Sequence, residues 1–221
     1  MQLHRLKWAF AALLGSIGLL WLLATPVASL TGGFWPLRHS LIMLFGILAT
    51  ASMSAAVVLA ARPVQIESWL GGLDKYYRLH KWLGTGALVF ALVHWLLETV
   101  PRKLVGQGLL VRPERRGLGG EEGLLAAWRP AATELGEIAL YLFILLMIVA
   151  LWRRIPYHWF HRAHRLMAPI YLVLVFHSVV LLGEYWPTAL GLLLALLLLA
   201  GSVAAAVSLV RRIGTRARRP A

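Results

Sequence analysis

Residues 77–98 read YRLHKWLGTGALVFALVHWLLE, and residues 164–183 read HRLMAPIYLVLVFHSVVLLG. Each stretch is apolar, about as long as a membrane span, and carries one histidine near its start and another deeper in. These are His80 and His94 in the first, His164 and His177 in the second. The separations of 14 and 13 residues correspond to roughly 20 Å along α-helices. A hydrocarbon core about 30 Å thick can therefore hold two facing histidine pairs at two depths, one near each surface. Neutral imidazole is an axial ligand of haem iron, and two bis-histidine haems stacked across a bilayer make a path for electrons.

The rest of the chain agrees with a membrane setting. It has 221 residues, is 60% hydrophobic and only 14% charged, with a mean hydropathy of +0.73. That charge is too sparse to cover a soluble domain of this size. The absence of cysteine excludes disulfides, thiolate-bound zinc and iron–sulfur clusters, so metal chemistry must rest on histidine and carboxylate. The net charge of +13 does not point to nucleic acid, because the basic residues lie in short segments between apolar runs. There they orient helices and meet anionic headgroups.

Six spans are predicted, over residues 8–30, 39–61, 77–100, 132–152, 164–183 and 187–210. Arg5 and Lys7 before the first run, and Ala24-Thr25-Pro26-Val27-Ala28-Ser29 after it, also resemble a signal peptide. The run is longer than a usual signal core, and Trp8 and Trp21 read as interface anchors, which favours a retained span. Of the 22 Lys and Arg residues, 15 fall in the N-terminus, the 2–3 and 4–5 connections and the C-terminus. Six of the other seven lie in the long segment 101–131, where charge weighs less. Both termini are thus expected on the cytoplasmic side, with His80 and His164 at the cytoplasmic ends of their helices. The segment 101–131 is the one long connection, with a short helix candidate at Glu121–Trp128.

His4, His39, His158 and His161 read as interfacial residues. His94 and His177 sit inside apolar runs, where a polar ring is costly and usually functional; the bland alternative is a hydrogen bond between helices. Fourteen residues make about 3.9 turns, so His80 and His94 share a face. Thirteen make about 3.6, which sets His164 and His177 well apart around an ideal helix. Pro169 between them is expected to distort that helix. Gly84 and Gly86 would let a flat macrocycle or a neighbouring helix approach closely. Arg78, Lys81, Arg162 and Arg165 are candidate partners for haem propionates near the cytoplasmic pair, and Arg38 near the outer one.

At these residues the chain resembles the transmembrane domain shared by ferric reductases and NADPH oxidases, bacterial predicted ferric reductases above all. The resemblance rests on Arg62-Pro63, on Gly71-Gly72-Leu73-Asp74-Lys75-Tyr76-Tyr77-Arg78-Leu79-His80-Lys81, on the spacing from His80 to His94, and on Tyr157, Phe160, His164 and His177. It covers roughly residues 5–212. It implies an all-α, six-transmembrane-helix bundle binding two b-type haems between helices 3 and 5. In it His80 with His164 hold the cytoplasmic haem and His94 with His177 the outer one; the unequal spacing also occurs in that family. It further implies electrons from NAD(P)H through FAD, carried by a cytoplasmic flavin domain or a flavoprotein partner, and passed outward to ferric iron or dioxygen.

Residues 1–212 are expected to form that domain, and 213–221 a basic cytoplasmic tail or a linker into a flavin domain. Nothing in the sequence reads as a nicotinamide site, so this chain alone is not expected to oxidise NAD(P)H. The expected location is a bacterial inner membrane. A haem-binding subunit of a quinol- or flavoprotein-linked repair system is a second reading. A transporter or scaffold without haem is a third; it finds little support, because Glu98, Glu134 and Glu137 lie near span ends.

Overall fold

The computed structural model describes residues 2–62, 69–70, 72–112, 125–152 and 154–217. Pro63 and Gly71 of the family-like motifs, residues 113–124 of the long connection and 218–221 of the tail lie outside the described residues. The described residues form helices and turns without a strand. The helices are α1 (Gln2–Ala24), α2 (Val27–Thr31), α3 (Phe34–Ala60), α4 (Leu73–Gly106), α5 (Arg129–Leu151), α6 (Tyr157–His164), α7 (Met167–Leu181) and α8 (Ala189–Ala217). Six segments are long and apolar enough to cross a membrane, with α6 and α7 together making the fifth. The chain is an integral membrane protein.

Where the helices differ from the sequence expectation, proline chemistry accounts for two of the differences. The first span stops at Ala24 rather than Leu30, because Pro26 (φ −60°, ψ 137°) turns the chain out of helix. Gly33 then takes φ 100°, a conformation costly for any side chain, before α3 begins. The fifth span is broken at Arg165–Leu166, and α7 starts at Met167. Pro169 consequently falls in the first turn of α7, where a missing N–H costs nothing. The third span extends to Leu73 and Gly106. Of the expected helix at Glu121–Trp128, only residues 125–128 are described, and Ala126–Trp128 form a single 3₁₀ turn. The expected tail begins as a continuation of α8, which runs to Ala217.

α3 is the spine of the bundle. Its stretch Ala49-Thr50-Ala51-Ser52-Met53-Ser54-Ala55-Ala56 is nearly all small. Lipid supplies no hydrophobic force between helices, so close backbone approach over small residues is what holds them. α3 packs along α4 and also against α8, α7 and α1, while α7 packs on α5 and α8. α4 and α7, which carry three of the four histidines, are not closely packed against each other.

Buried polar contacts cross-link the middle of the bundle. Ser54 and Tyr171 are wholly buried. Their hydroxyls lie 2.9 Å apart, and Ser54 also donates to the Thr50 carbonyl at 2.8 Å. Thr50 Oγ1 in turn meets Ser178 Oγ at 3.0 Å. Gly201 of α8 leaves room for Tyr171: a Cβ there would collide with its hydroxyl. Gly201→Ala should therefore cost about 1–3 kcal/mol by overpacking. Adding Tyr171→Phe should recover part of that loss, as read by thermal unfolding in detergent. Strictly additive losses would show that the two residues do not meet.

Candidate functional site

The third and fifth spans run in the same direction, so their histidines meet in two pairs. The rings of His80 and His164 lie with centroids 6.0 Å apart at 71°, and those of His94 and His177 at 6.3 Å and 84°. Both separations fall within the range of simple aromatic pairs. They are also what one metal would impose, since two ring nitrogens at about 2 Å from it place the centroids roughly 6 Å apart.

The hydrogen bonds of the rings set which nitrogen of each is left free. His80 Nδ1 donates to the Ala56 carbonyl at 2.9 Å, His94 Nδ1 to Ile42 at 2.8 Å and His177 Nδ1 to Ala132 at 2.8 Å. A carbonyl can only accept, so each Nδ1 carries the proton and the neutral ring keeps its lone pair on Nε2. Fixing one ring nitrogen on a backbone carbonyl is how metal-binding histidines are oriented. His164 is held differently, by stacking on Phe160 one turn earlier (centroids 5.2 Å, 30°).

Small residues make these hydrogen bonds possible. A helical side chain leans toward the N-terminus, over the carbonyl one turn before it. The residues four beyond the three accepting carbonyls are Ala60, Gly46 and Gly136. A Cβ on Gly46 would stand 3.0 Å from His94 Nδ1, and one on Gly136 would overlap the His177 ring. Neither glycine stood out in the sequence. A glycine within an apolar helix costs about 1 kcal/mol against alanine, and that was the available signal. Gly84 and Gly86 are not points where a neighbouring helix comes close: a Cβ meets no protein atom within 4 Å at Gly84 and only ordinary contacts with Phe10 and Phe90 at Gly86.

Between α3, α4, α5 and α7 lies a cavity of about 1270 Å³ including its open side. His94, His177, Gly46 and Gly136 line it, Tyr171 and Phe143 lie deeper, and Glu98, Arg102 and Glu137 stand toward the exposed end. Arg38 does not line it. Its Nε donates to the Leu97 carbonyl at 2.7 Å, and its Nη2 reaches the Glu98 carbonyl at 3.1 Å and the Glu98 carboxylate at 2.7 Å. Glu98 also pairs with Arg102. Arg78 and Lys81 are exposed beside His80. Arg162 lies over the Trp159 ring, and Arg165 donates to His161 Nε2 at 2.9 Å. His4 accepts from Trp8 Nε1 at 2.8 Å, away from both pairs.

These features define an all-helical membrane protein built around two internal histidine pairs. Residues 45–175, more than half of the chain, match the family model described as the ferric reductase like transmembrane component. The chain belongs to that family. The matched stretch holds His80, His94 and His164 and ends two residues before His177. Comparison with curated proteins found no match.

Proposed function

We propose that this chain is the membrane conduit of a ferric reductase-type oxidoreductase, located in a bacterial inner membrane with both termini cytoplasmic. In this reading His80 with His164 and His94 with His177 each hold one b-type haem. Electrons come from a cytoplasmic flavin reduced by NAD(P)H and leave on the far side to ferric iron or dioxygen. The observation that carries the reading is the pair of matched ring separations, on helices that do not otherwise pack closely, with three Nδ1 atoms tied to backbone carbonyls.

The donor set fits haem better than a bare ion. Among the described residues no group of three or more His, Cys, Asp or Glu converges on one point. Two imidazoles leave four coordination positions, which are the four that a porphyrin fills. Bound haem would supply one-electron chemistry without an open coordination position. The chain fixes the tautomer of His80, His94 and His177 through their Nδ1 hydrogen bonds, stacks His164 on Phe160, and surrounds His94 and His177 with apolar helix. Arg102, which lines the outer cavity, is placed to meet a propionate there, with Arg38 acting from behind Glu98. Arg78, Lys81, Arg162 and Arg165 are the proposed partners at the other end. Residues 213–221 are proposed as the connection toward the flavin-bearing partner or domain.

The test is a reduced-minus-oxidised optical spectrum of detergent-purified protein, with haem quantified per chain. About two low-spin b-type haems per chain are expected. A chain that takes up none, even on reconstitution, would overturn the reading.

A further inference from the structure

α4 continues as helix through Pro101, which is buried. Proline has no amide hydrogen, so the carbonyl four residues before it, that of Leu97, loses its donor in the helix ladder. Inside a bilayer such a group has to be satisfied by a neighbouring part of the protein. Arg38 of α3 supplies the donor. Its Nε reaches the Leu97 carbonyl at 2.7 Å, and its Nη2 reaches the next carbonyl, that of Glu98, at 3.1 Å. The Arg38 side chain is only 13% exposed, and its guanidinium lies 5.6 Å from the centroid of the Trp35 ring. About one turn away the two helices make the reverse exchange, in which His94 of α4 donates to the Ile42 carbonyl of α3 at 2.8 Å. Arg38 stands four residues before Ile42, and Leu97 three residues after His94. Each helix therefore places a side chain on the backbone of the other, in two links about one turn apart.

We propose that Arg38 stands in for the amide that Pro101 lacks, and that this link sets the depth and rotation of His94, which makes Arg38 a positioning residue for the outer ligand. The part that concerns haem rests on the conduit reading above. His94 and Leu97 lie within one turn of α4, so a guanidinium fixed on the Leu97 carbonyl keeps that turn from rotating against α3. His94 Nε2 then stays aimed into the cavity it shares with His177. An ion pair with Glu98 does not by itself account for the geometry. The Glu98 carboxylate takes one contact from Nη2 at 2.7 Å, whereas both Nε and Nη2 are directed at backbone carbonyls. Charge-assisted hydrogen bonds of this kind are the strong ones, and the planar fork of arginine reaches two adjacent acceptors at once.

Four chains in nanodiscs test this: the wild type, Arg38→Met, Pro101→Ala and the double variant. Arg38→Met keeps an apolar stem and removes the donors, while Pro101→Ala returns an amide to the Leu97 carbonyl. With haem bound, Arg38→Met should weaken haem at the His94–His177 pair about tenfold, in line with a lost hydrogen bond from a charged donor. It should also move the g values of that haem's low-spin electron paramagnetic resonance signal, which report the angle between the two imidazole planes. Adding Pro101→Ala should bring both close to the values of Pro101→Ala alone. Packing lost with the proline ring is common to those two chains and cancels in the cycle. A loss that Pro101→Ala does not repair would overturn the proposal, because the guanidinium would then act on something other than the backbone. So would an equal change of g values in Glu98→Gln, which would assign the effect to the ion pair. Thermal unfolding of the four chains without haem keeps the two readings apart. A smaller destabilisation by Arg38→Met in the Pro101→Ala background than in the wild-type background upholds the amide replacement. The same result in a chain that takes up no haem would sink the conduit reading alone, and strictly additive losses would sink the amide replacement alone.

Discussion

His94→Ala and His177→Ala are each expected to lower bound haem from about two to about one per chain, with the remaining haem at the His80–His164 pair. His80→Ala and His164→Ala should give the complementary loss. The expectation follows from the pairing, in which the two rings of each pair sit 6.0 or 6.3 Å apart and the two pairs draw on different turns of α4. In the proposed assignment, removing one ring would take away half of the protein's ligands for that iron. The fold should tolerate the change. His177→Ala removes a hydrogen bond to Ala132, worth about 1 kcal/mol, and the Ala132 carbonyl still lies within the α5 ladder. Pyridine haemochrome quantification with a difference spectrum reads the outcome directly. Both haems retained in His94→Ala and His177→Ala would exclude these residues as ligands. Loss of both haems in every single variant would mean that the two sites are not independent.

The spans and the histidine pairs were legible because each is written in local sequence. Hydropathy marks a span without knowledge of its neighbours, and a histidine at the centre of an apolar run stands out by its cost. The phase of the fifth span was not legible. An unbroken helix sets His164 and His177 well apart around its axis, whereas the chain breaks at Arg165–Leu166 and resets the rotation before Pro169. Pro169 alone suggested a distortion but not that His164 would close one helix and His177 belong to the next. The backing carbonyls were also out of reach, because Ile42, Ala56 and Ala132 gain meaning only once α3 and α5 are known to stand behind the rings. Arg38 shows the same limit. Its place at the mouth of a span does not reveal that its guanidinium lies on Glu98 and the Leu97 carbonyl, or that Arg102 rather than Arg38 lines the cavity.

Gly136→Ala is the substitution that separates a positioned ligand from a merely buried histidine. The added Cβ would overlap the His177 ring, whose Nδ1 is held against the Ala132 carbonyl. α5 and α7 are packed together along their length, so the clash cannot be relieved by an easy helix shift. His177 must rotate away or the helices must part, at about 1–3 kcal/mol, and either movement displaces Nε2 from its ligand position. Since 1.4 kcal/mol is a factor of about ten, haem at the His94–His177 pair should bind about tenfold or more weakly. The His80–His164 pair should be unaffected and serves as an internal control for folding. Gly46→Ala makes the same kind of contact more gently. Its Cβ would stand 3.0 Å from His94 Nδ1, a distance that a shift of a few tenths of an ångström relieves, so haem should stay bound. That ranking, loss at Gly136 and retention at Gly46, follows from the two carbonyl-to-ring hydrogen bonds. Full haem retention in Gly136→Ala, with an unchanged low-spin spectrum and midpoint potential, would mean that the His177 ring does not rest on α5. The tautomer assignment would fall with it.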